Sequence, residues 1–497
     1  MSIHHQTSSR LAIAVGIGSW VLGGAQAWAA TKPPVDLAAG RAAYEQHCAR
    51  CHGATGQGDG LDAKRFFPRP RNFTAGVYKI RTTVSGTAPT DDDLFRSLSH
   101  GLAGSGMPDW KHLDEATRWQ LVYYLKSLSS TFQDAPPEPV ALGTDPGRQT
   151  DLAKGRAVYE KLGCAACHGA HGRANGPSAA TLVDNWGAAI RAADLTQAWN
   201  YRGGAEAQAI VARMMSGIDG TPMPSYAEAT TPEEAWQLAY YVQSLQEPTR
   251  WAMIARASHV EGELPSSVDD PHWAAAPAWT VRLRPAPSSA GEVTAPPTVN
   301  AVVFQALSTD EAIAFRLTWD DPTESRQDPA DVIALALRPA GVTGDVVTLQ
   351  AWPLNDSPPL DLCLWSAKDG QAYERLSRNY DSALHRNGRT DALPSQAAYD
   401  DGRWTLVIQR PLKTTQWPDA AALEAGQLHP VAFVVWDGSH PDQRLVSMWV
   451  DVGLDRPALR EAVARTPQNA WVWPSAGAVL IIALALVFQT KHSKGDH

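Results

Sequence analysis

Two stretches hold residues whose types and spacing suit one chemistry, Cys48-Ala49-Arg50-Cys51-His52 and Cys164-Ala165-Ala166-Cys167-His168. In each, two thiols are spaced to add across the vinyl groups of a haem, and the adjoining imidazole can take one axial position on its iron. Two covalently bound haems c are therefore expected, through Cys48 and Cys51 and through Cys164 and Cys167, with His52 and His168 as iron ligands. Zinc would call for a second cysteine pair or two further histidines at finger spacing, and a redox dithiol for a surrounding βαβ pattern; neither accompanies these stretches. Met107, in Gly-Ser-Gly-Met-Pro-Asp, stands 55 residues after His52, and Met223, in Gly-Thr-Pro-Met-Pro-Ser, stands 55 residues after His168. Thioether sulfur is a soft ligand for haem iron, so Met107 and Met223 are the expected second ligands, with Met214 and Met215 as nearby competitors in the second copy.

The elements that must position these residues recur with them. Asp36-Leu-Ala-Ala-Gly-Arg-Ala-Ala-Tyr-Glu45 leads into the first motif and Asp151-Leu-Ala-Lys-Gly-Arg-Ala-Val-Tyr-Glu160 into the second. Trp119-Gln-Leu-Val-Tyr-Tyr-Leu125 likewise recurs as Trp236-Gln-Leu-Ala-Tyr-Tyr-Val242. Offsets of 115 to 117 residues describe a duplicated domain and not a short-period solenoid. Leu121, Tyr124, Leu125 and Leu128 fall at helical spacing, as do Leu238, Tyr241, Val242 and Leu245, so each copy should turn an apolar stripe to its own core. Both repeats resemble class I c-type cytochromes, small helical domains whose first and last helices cross beside the haem. The resemblance covers residues 36–248 apart from a linker at 134–148 rich in Pro and Gly. Gly53, Gly56 and Gly60, repeated as Gly169, Gly172 and Gly176, would let the backbone turn beneath the haem. Arg69, Arg71 and Arg81 are either partners for haem propionates or solvated surface arginines.

Beyond residue 266 the pattern changes to alternating strands such as Val302–Leu307, Ala312–Trp319 and Trp404–Ile408 between Pro, Gly and Asp clusters, which predicts a β-sandwich over 266–456. A helical piece is expected near Asp331–Leu337, and Cys363, the one cysteine outside the haem motifs, should be a buried residue of a strand. Pro271-His-Trp273, Phe315-Arg-Leu-Thr-Trp-Asp-Asp-Pro322, Arg403–Leu412 and Val431-Ala-Phe-Val-Val-Trp-Asp-Gly438 resemble the ethylbenzene dehydrogenase-related haem-binding domain. That domain is the γ subunit of type II enzymes of the dimethyl sulfoxide reductase family. The resemblance implies molybdoenzyme catalytic and iron–sulfur subunits as partners, and a haem b held between a Met and a Lys. At both ligand positions this sequence departs: no Met lies between Val332-Ile-Ala-Leu335 and Leu362-Cys-Leu-Trp365, and Arg444-Leu-Val446 precedes Ser447-Met-Trp449 where the Lys should fall. Arginine is a poor metal ligand. Haem b in this domain thus stays open, with Lys413, Met448, His429 and His440 as conceivable substitutes.

The two ends of the chain point to export and anchoring. Arg10, the apolar run Leu11–Leu22 and the small residues up to Ala30 read as a signal peptide at 1–30. The uncharged stretch around Val472–Phe488, flanked by Trp471 and Trp473 and then by Lys491 and Lys494, predicts a transmembrane helix at 472–490 with a cytoplasmic tail at 491–497. The remaining domains, 31–133, 149–250 and 266–456, would then face the periplasm. With 52 acidic against 43 basic residues the net charge is −9, which gives no nucleic-acid footprint. The fold class expected is two all-α cytochrome domains, a mostly β sandwich and one C-terminal membrane helix. No acid, base or nucleophile constellation stands out, so no catalytic residue is assigned. The reading is an electron-transfer subunit between a molybdoenzyme complex and a soluble or membrane redox carrier. The alternatives are a di-haem peroxidase, whose reactive iron needs an open position, and a di-haem cytochrome whose sandwich only docks a partner.

Overall fold

The computed structural model describes residues 32–454 apart from 134–136, 149–150, 287–292, 294–295, 343–358, 379–382, 384–391 and 414–418. The expected signal peptide at 1–30, the membrane helix at 472–490 and the tail at 491–497 lie outside the described residues. Among the described residues no helix is long and apolar enough to cross a membrane.

The first helical domain is built from α1 (Leu37–His47), α2 (Ala49–His52), α3 (Asp91–His100) and α4 (Glu115–Ser127), and the second from α5 (Leu152–Lys161), α6 (Ala165–His168), α7 (Ala207–Ser216) and α8 (Pro232–Ser244). Short polar residues start the longer helices. Asp36 and Asp151 each accept a hydrogen bond from a first-turn amide, and Thr90 with Asp93 and Thr231 with Glu234 form capping boxes. The first and last helices of each copy cross at a glycine. A Cβ on Gly40 would stand 2.3 Å from the Gln120 carbonyl oxygen, and one on Gly155 would stand 2.2 Å from that of Gln237. These two glycines let α1 approach α4, and α5 approach α8, more closely than any other residue allows. The buried face of α4 is wider than the stripe expected from spacing. Leu121 and Leu125 are buried with Trp119, Gln120 and Val122, while Tyr124 and Leu128 are half-buried, because α4 packs on α1 and α3 at once.

The third domain contains β1 (Ile254–His259), β2 (Trp279–Pro285), β3 (Ala301–Ser308), β4 (Ala312–Asp320), β5 (Val332–Leu337), β6 (Leu360–Ser366), β7 (Gln371–Ser377), β8 (Ala392–Leu393), β9 (Ser395–Asp400), β10 (Arg403–Pro411), β11 (Leu428–Trp436), β12 (Arg444–Ser447) and β13 (Val450–Leu454). One half runs β2-β3-β4-β10-β9 and the other β8-β7-β6-β5-β11-β12, joined where β12 pairs with β2. Pairing is antiparallel except at β1, which lies parallel to both β13 and β3 and so straddles the two halves. The halves close on one core, with Trp319 and Trp404 from the first meeting Trp365 from the second at ring-centroid distances of 6.3 and 5.0 Å. Residues 331–337, expected to be helical, are instead the end of a loop followed by strand β5. Every residue of β5 is buried, and an uninterrupted apolar run carries no period that separates a strand buried on both faces from a helix. Cys363 is buried in β6, where burial pushes its thiol up to about 12.

Polar contacts join the three domains. Arg81 is fully buried and donates to the Ser216 carbonyl at 2.8 Å and to Asp219 Oδ1 at 2.7 Å, across the two helical domains. The stretch expected to be a linker is partly docked: Trp236 Nε1 donates to the Leu142 carbonyl and Tyr240 to Asp145, both at 2.7 Å. Arg403 of β10 donates to Glu247 at 2.7 Å and to Asp320 at 2.6 Å, and Asn175 donates to Asp401 at 3.1 Å. The Arg403–Glu247 and Asn175–Asp401 bonds seat the sheet domain on the second helical domain, and the Arg403–Asp320 bond holds Arg403 in place.

Candidate haem sites

The two cysteine motifs adopt the same local structure. Each begins as one helical turn, in which the His52 and His168 amides both donate to the carbonyl of the motif's first cysteine at 2.9 Å. Each ends at a glycine of positive φ, +82° at Gly53 and +81° at Gly169, a conformation that turns the chain away immediately after the histidine. A buried tyrosine from the preceding helix secures that turn: Tyr44 donates to the Gly53 carbonyl at 2.7 Å and Tyr159 to the Gly169 carbonyl at 2.6 Å. Substituting Tyr159→Phe should lower stability by about 1 kcal/mol, the usual net value of a buried hydrogen bond. A thermal melt of the variant unchanged from wild type would refute that role.

Both histidines are prepared to ligate. His52 Nδ1 lies 3.0 Å from the Arg71 carbonyl oxygen and His168 Nδ1 lies 2.8 Å from that of Ala193. A carbonyl only accepts, so Nδ1 carries the proton in each ring and Nε2 keeps its lone pair for a metal. Burial pushes both imidazoles below their ordinary pKa, which favours the neutral form that ligation needs. It also raises the first thiol of each motif, Cys48 up to about 12 and Cys164 up to about 11, the reverse of the depression found in redox dithiols.

The methionine loops match as closely. The Leu102 amide donates to the Met107 carbonyl, and the Ile218 amide to the Met223 carbonyl, both at 3.1 Å. The hydroxyls of Ser105 and Thr221 accept from the Met107 and Met223 amides at 3.1 and 3.3 Å. Both methionines line the cavity that the two cysteine motifs line. Of the competitors, Met215 is buried in the core, and Met214 also reaches the cavity but is fixed in α7 within that core.

That cavity, of about 500 Å³, is continuous between the two helical domains and takes in both motifs and both methionine loops. Seven Arg and Lys residues line it: Arg69, Arg71 and Lys79 from the first domain and Arg173, Arg191, Arg202 and Arg213 from the second. Burial lowers the pKa of Arg71, Lys79, Arg191, Arg202 and Arg213, Lys79 to about 8 and Arg213 to about 10. Enclosed cations beside an apolar cavity suit the carboxylates of a haem, so this donor set fits the cofactor. Of the three arginines singled out from sequence, Arg69 and Arg71 line the cavity, Arg71 over the Trp186 ring at 4.8 Å. Arg81 is the interdomain clamp, and Arg69 donates to the Lys64 and Val293 carbonyls. Sequence reasoning missed Arg191, Arg202 and Arg213, which no motif or period marks. Burial and the facing Asp320 carboxylate push Asp194, also on the cavity wall, up to about 7.

The conceivable haem b ligands in the sheet domain are otherwise engaged. Lys413 pairs with Glu424 at 3.0 Å, His429 Nε2 lies 3.0 Å from the Glu424 carbonyl oxygen, and His440 lies 3.3 Å from Asp437 Oδ2. Met448 is 69% exposed. These four residues do not fit a haem b site.

Residues 152–246 match the family model of cytochrome c, and residues 35–125 match that of cytochrome C oxidase, cbb3-type, subunit III. A Haloferax mediterranei protein described as a respiratory nitrate reductase haem subunit is 26% identical over 45% of this chain and 79% of its own. The cbb3-type cytochrome c oxidase subunit CcoP of Azospirillum sp. is 32% identical over 42% of this chain, which spans 62% of the length of that relative. Among solved structures, a chain of the Kuenenia stuttgartiensis reducing HAO-like protein complex is 41% identical over 43% of this chain and 98% of its own, with a TM-score of 0.41. These matches support a c-type cytochrome that binds haem c covalently and transfers electrons.

Proposed function

We propose that the chain is an exported, membrane-anchored di-haem cytochrome c that serves as an electron-transfer subunit of a respiratory complex. Cys48 and Cys51 hold one haem and Cys164 and Cys167 the other; His52 with Met107, and His168 with Met223, are the axial pairs. One observation carries this reading: both motifs and both methionine loops open on a single cavity between the domains. Each haem supplies reversible one-electron chemistry, while the chain sets ligation, excludes water and places the two sites within reach of each other. The sheet domain, seated on the second cytochrome domain through Arg403 and Asn175, is the docking element for a type II molybdoenzyme with its iron–sulfur subunit. The cytochromes pass electrons between that enzyme and a soluble or membrane carrier on the periplasmic side of the inner membrane, where 472–490 anchors the chain.

A pyridine haemochrome spectrum combined with acid-acetone extraction tests the core of this reading on protein matured as a c-type cytochrome. Two covalent haems per chain and none extractable are expected. Fewer than two covalent haems would overturn the assignment, and an extractable third would return haem b to the sheet domain. Affinity purification from native membranes should bring down molybdenum and iron–sulfur subunits; a chain that purifies alone from cross-linked membranes would remove that partner. Peroxide turnover by the purified chain would favour the peroxidase alternative.

A further inference from the structure

Three strand ends meet at one edge of the sheet domain. Asp321 directly follows β4, Asp331 directly precedes β5, and Asp437 directly follows β11, whose Trp436 is paired with Val332. All three side chains are buried, and one carboxylate oxygen from each lies within 4.8 Å of the other two. Neutral donors take up part of their capacity. Asp331 accepts from the Gly438 and Ser325 amides at 2.8 Å and from Trp404 Nε1 at 3.1 Å, Asp437 from the Ser439 amide at 2.7 Å, and Asp321 Oδ1 from the Thr323 amide at 3.1 Å. Asp321 Oδ2 is left with no hydrogen-bond partner.

A residue outside the cluster gives a separate indication. Thr298, in the approach to β3, is 5% exposed and its hydroxyl faces the Asp437 carboxylate, yet Oγ1 makes no hydrogen bond of ordinary geometry. Positive charge near the cluster is sparse: His440 lies beside Asp437, and Arg191 acts on Asp321 and Asp437 from the second cytochrome domain. Three buried carboxylates facing one another are costly unless a cation offsets them or a proton is taken up, the direction in which burial pushes Asp321 and Asp331.

We propose that Asp321, Asp331, Asp437 and the Thr298 hydroxyl bind one calcium ion that ties these strand ends together beside the second cytochrome domain. The donors are all oxygen, which selects a hard cation. The three carboxylate oxygens lie within 4.8 Å of one another, near enough to share one ion, and a buried all-protein oxygen cage suits calcium better than magnesium, which sheds its waters reluctantly. Thr298, Asp320 and Pro322 line the haem cavity, so the ion would stiffen one of its walls. It also gives a role to the acidic residues of the Trp-Asp-Asp-Pro and Trp-Asp-Gly stretches, which electron transfer leaves unexplained.

The test uses the full chain with its haems. Metal analysis after desalting into chelator-treated buffer should find one calcium per chain, and EGTA should remove it and lower the melting temperature of the sheet domain by several degrees. Equimolar calcium should restore the melting temperature and equimolar magnesium should not. Asp321→Asn should weaken calcium binding on the order of tenfold or more by removing one ligand charge, with the haem spectrum unchanged. The proposal is overturned if the wild-type chain neither retains nor rebinds calcium, or if Asp321→Asn binds it as tightly as wild type. It is equally overturned if EGTA leaves the melting temperature where it was.

Discussion

Replacing Met223 by His should lower the midpoint potential of the second haem by on the order of 0.1–0.3 V, part of the roughly 0.8 V range that axial ligands command. Met107→His should do the same to the first haem and leave the second in place. Thioether sulfur favours ferrous iron and a second imidazole favours ferric iron, so exchanging one for the other stabilises the oxidised form. The loops permit the exchange, because the backbone of each methionine is fixed by its own carbonyl and amide bonds and not by its side chain. Met214→Leu is the discriminating control, since Met214 reaches the same cavity from α7. If that variant lost the sulfur-to-iron charge-transfer band while Met223→His left the potential unmoved, the second ligand would be Met214. Spectroelectrochemical titration resolves both couples in one experiment.

The parts of the site legible in the sequence are those that depend on short spacing or on repetition. Two thiols and an imidazole within five residues form a local unit, and the duplicated spacing singled out Met107 and Met223 among the methionines. What the sequence hides is long-range. Arg69, Arg71 and Arg81 look alike in their local context, yet Arg69 binds backbone carbonyls, Arg71 lies over the Trp186 ring and Arg81 clamps the domains, because their partners are brought in by the fold. Arg191, Arg202 and Arg213 reach the cavity from two loops and from α7, separate stretches of the second domain that only the fold brings together. In the sheet domain the alternation of exposed strands was readable, whereas β5, buried on both faces, has no alternation to read. The Asp321, Asp331 and Asp437 cluster arises from three strand ends on two halves of the sheet, a convergence that no periodicity encodes.

Arg81→Met should loosen the contact between the two cytochrome domains without dismantling either. The guanidinium is fully buried, donates to Ser216 and Asp219, and has its own carbonyl bonded by the Ser216 hydroxyl at 3.2 Å and by Arg213 Nη1 at 3.2 Å. Methionine fills much of the same volume but strands the Ser216 carbonyl. Asp219 keeps two donors, the Ser85 hydroxyl at 2.8 Å and the Gly86 amide at 2.9 Å, so its carboxylate is not abandoned. The loss should therefore fall below the 3–5 kcal/mol typical of a broken buried pair, at about 2–3 kcal/mol, because Asp219 is partly open to solvent. A double-mutant cycle with Asp219→Asn isolates the pair; a coupling energy near zero would show that Arg81 acts through Ser216 alone. The functional consequence follows from geometry. With both motifs on one cavity, two haems held there would bear on each other's charge state through little intervening solvent. Freeing the clamp admits water between the domains, so the influence of one couple on the other should shrink in the variant while both covalent haems are retained. An unchanged interaction in a variant that has lost the expected stability would mean that the cavity is held by the sheet domain and the docked 137–148 segment and not by Arg81.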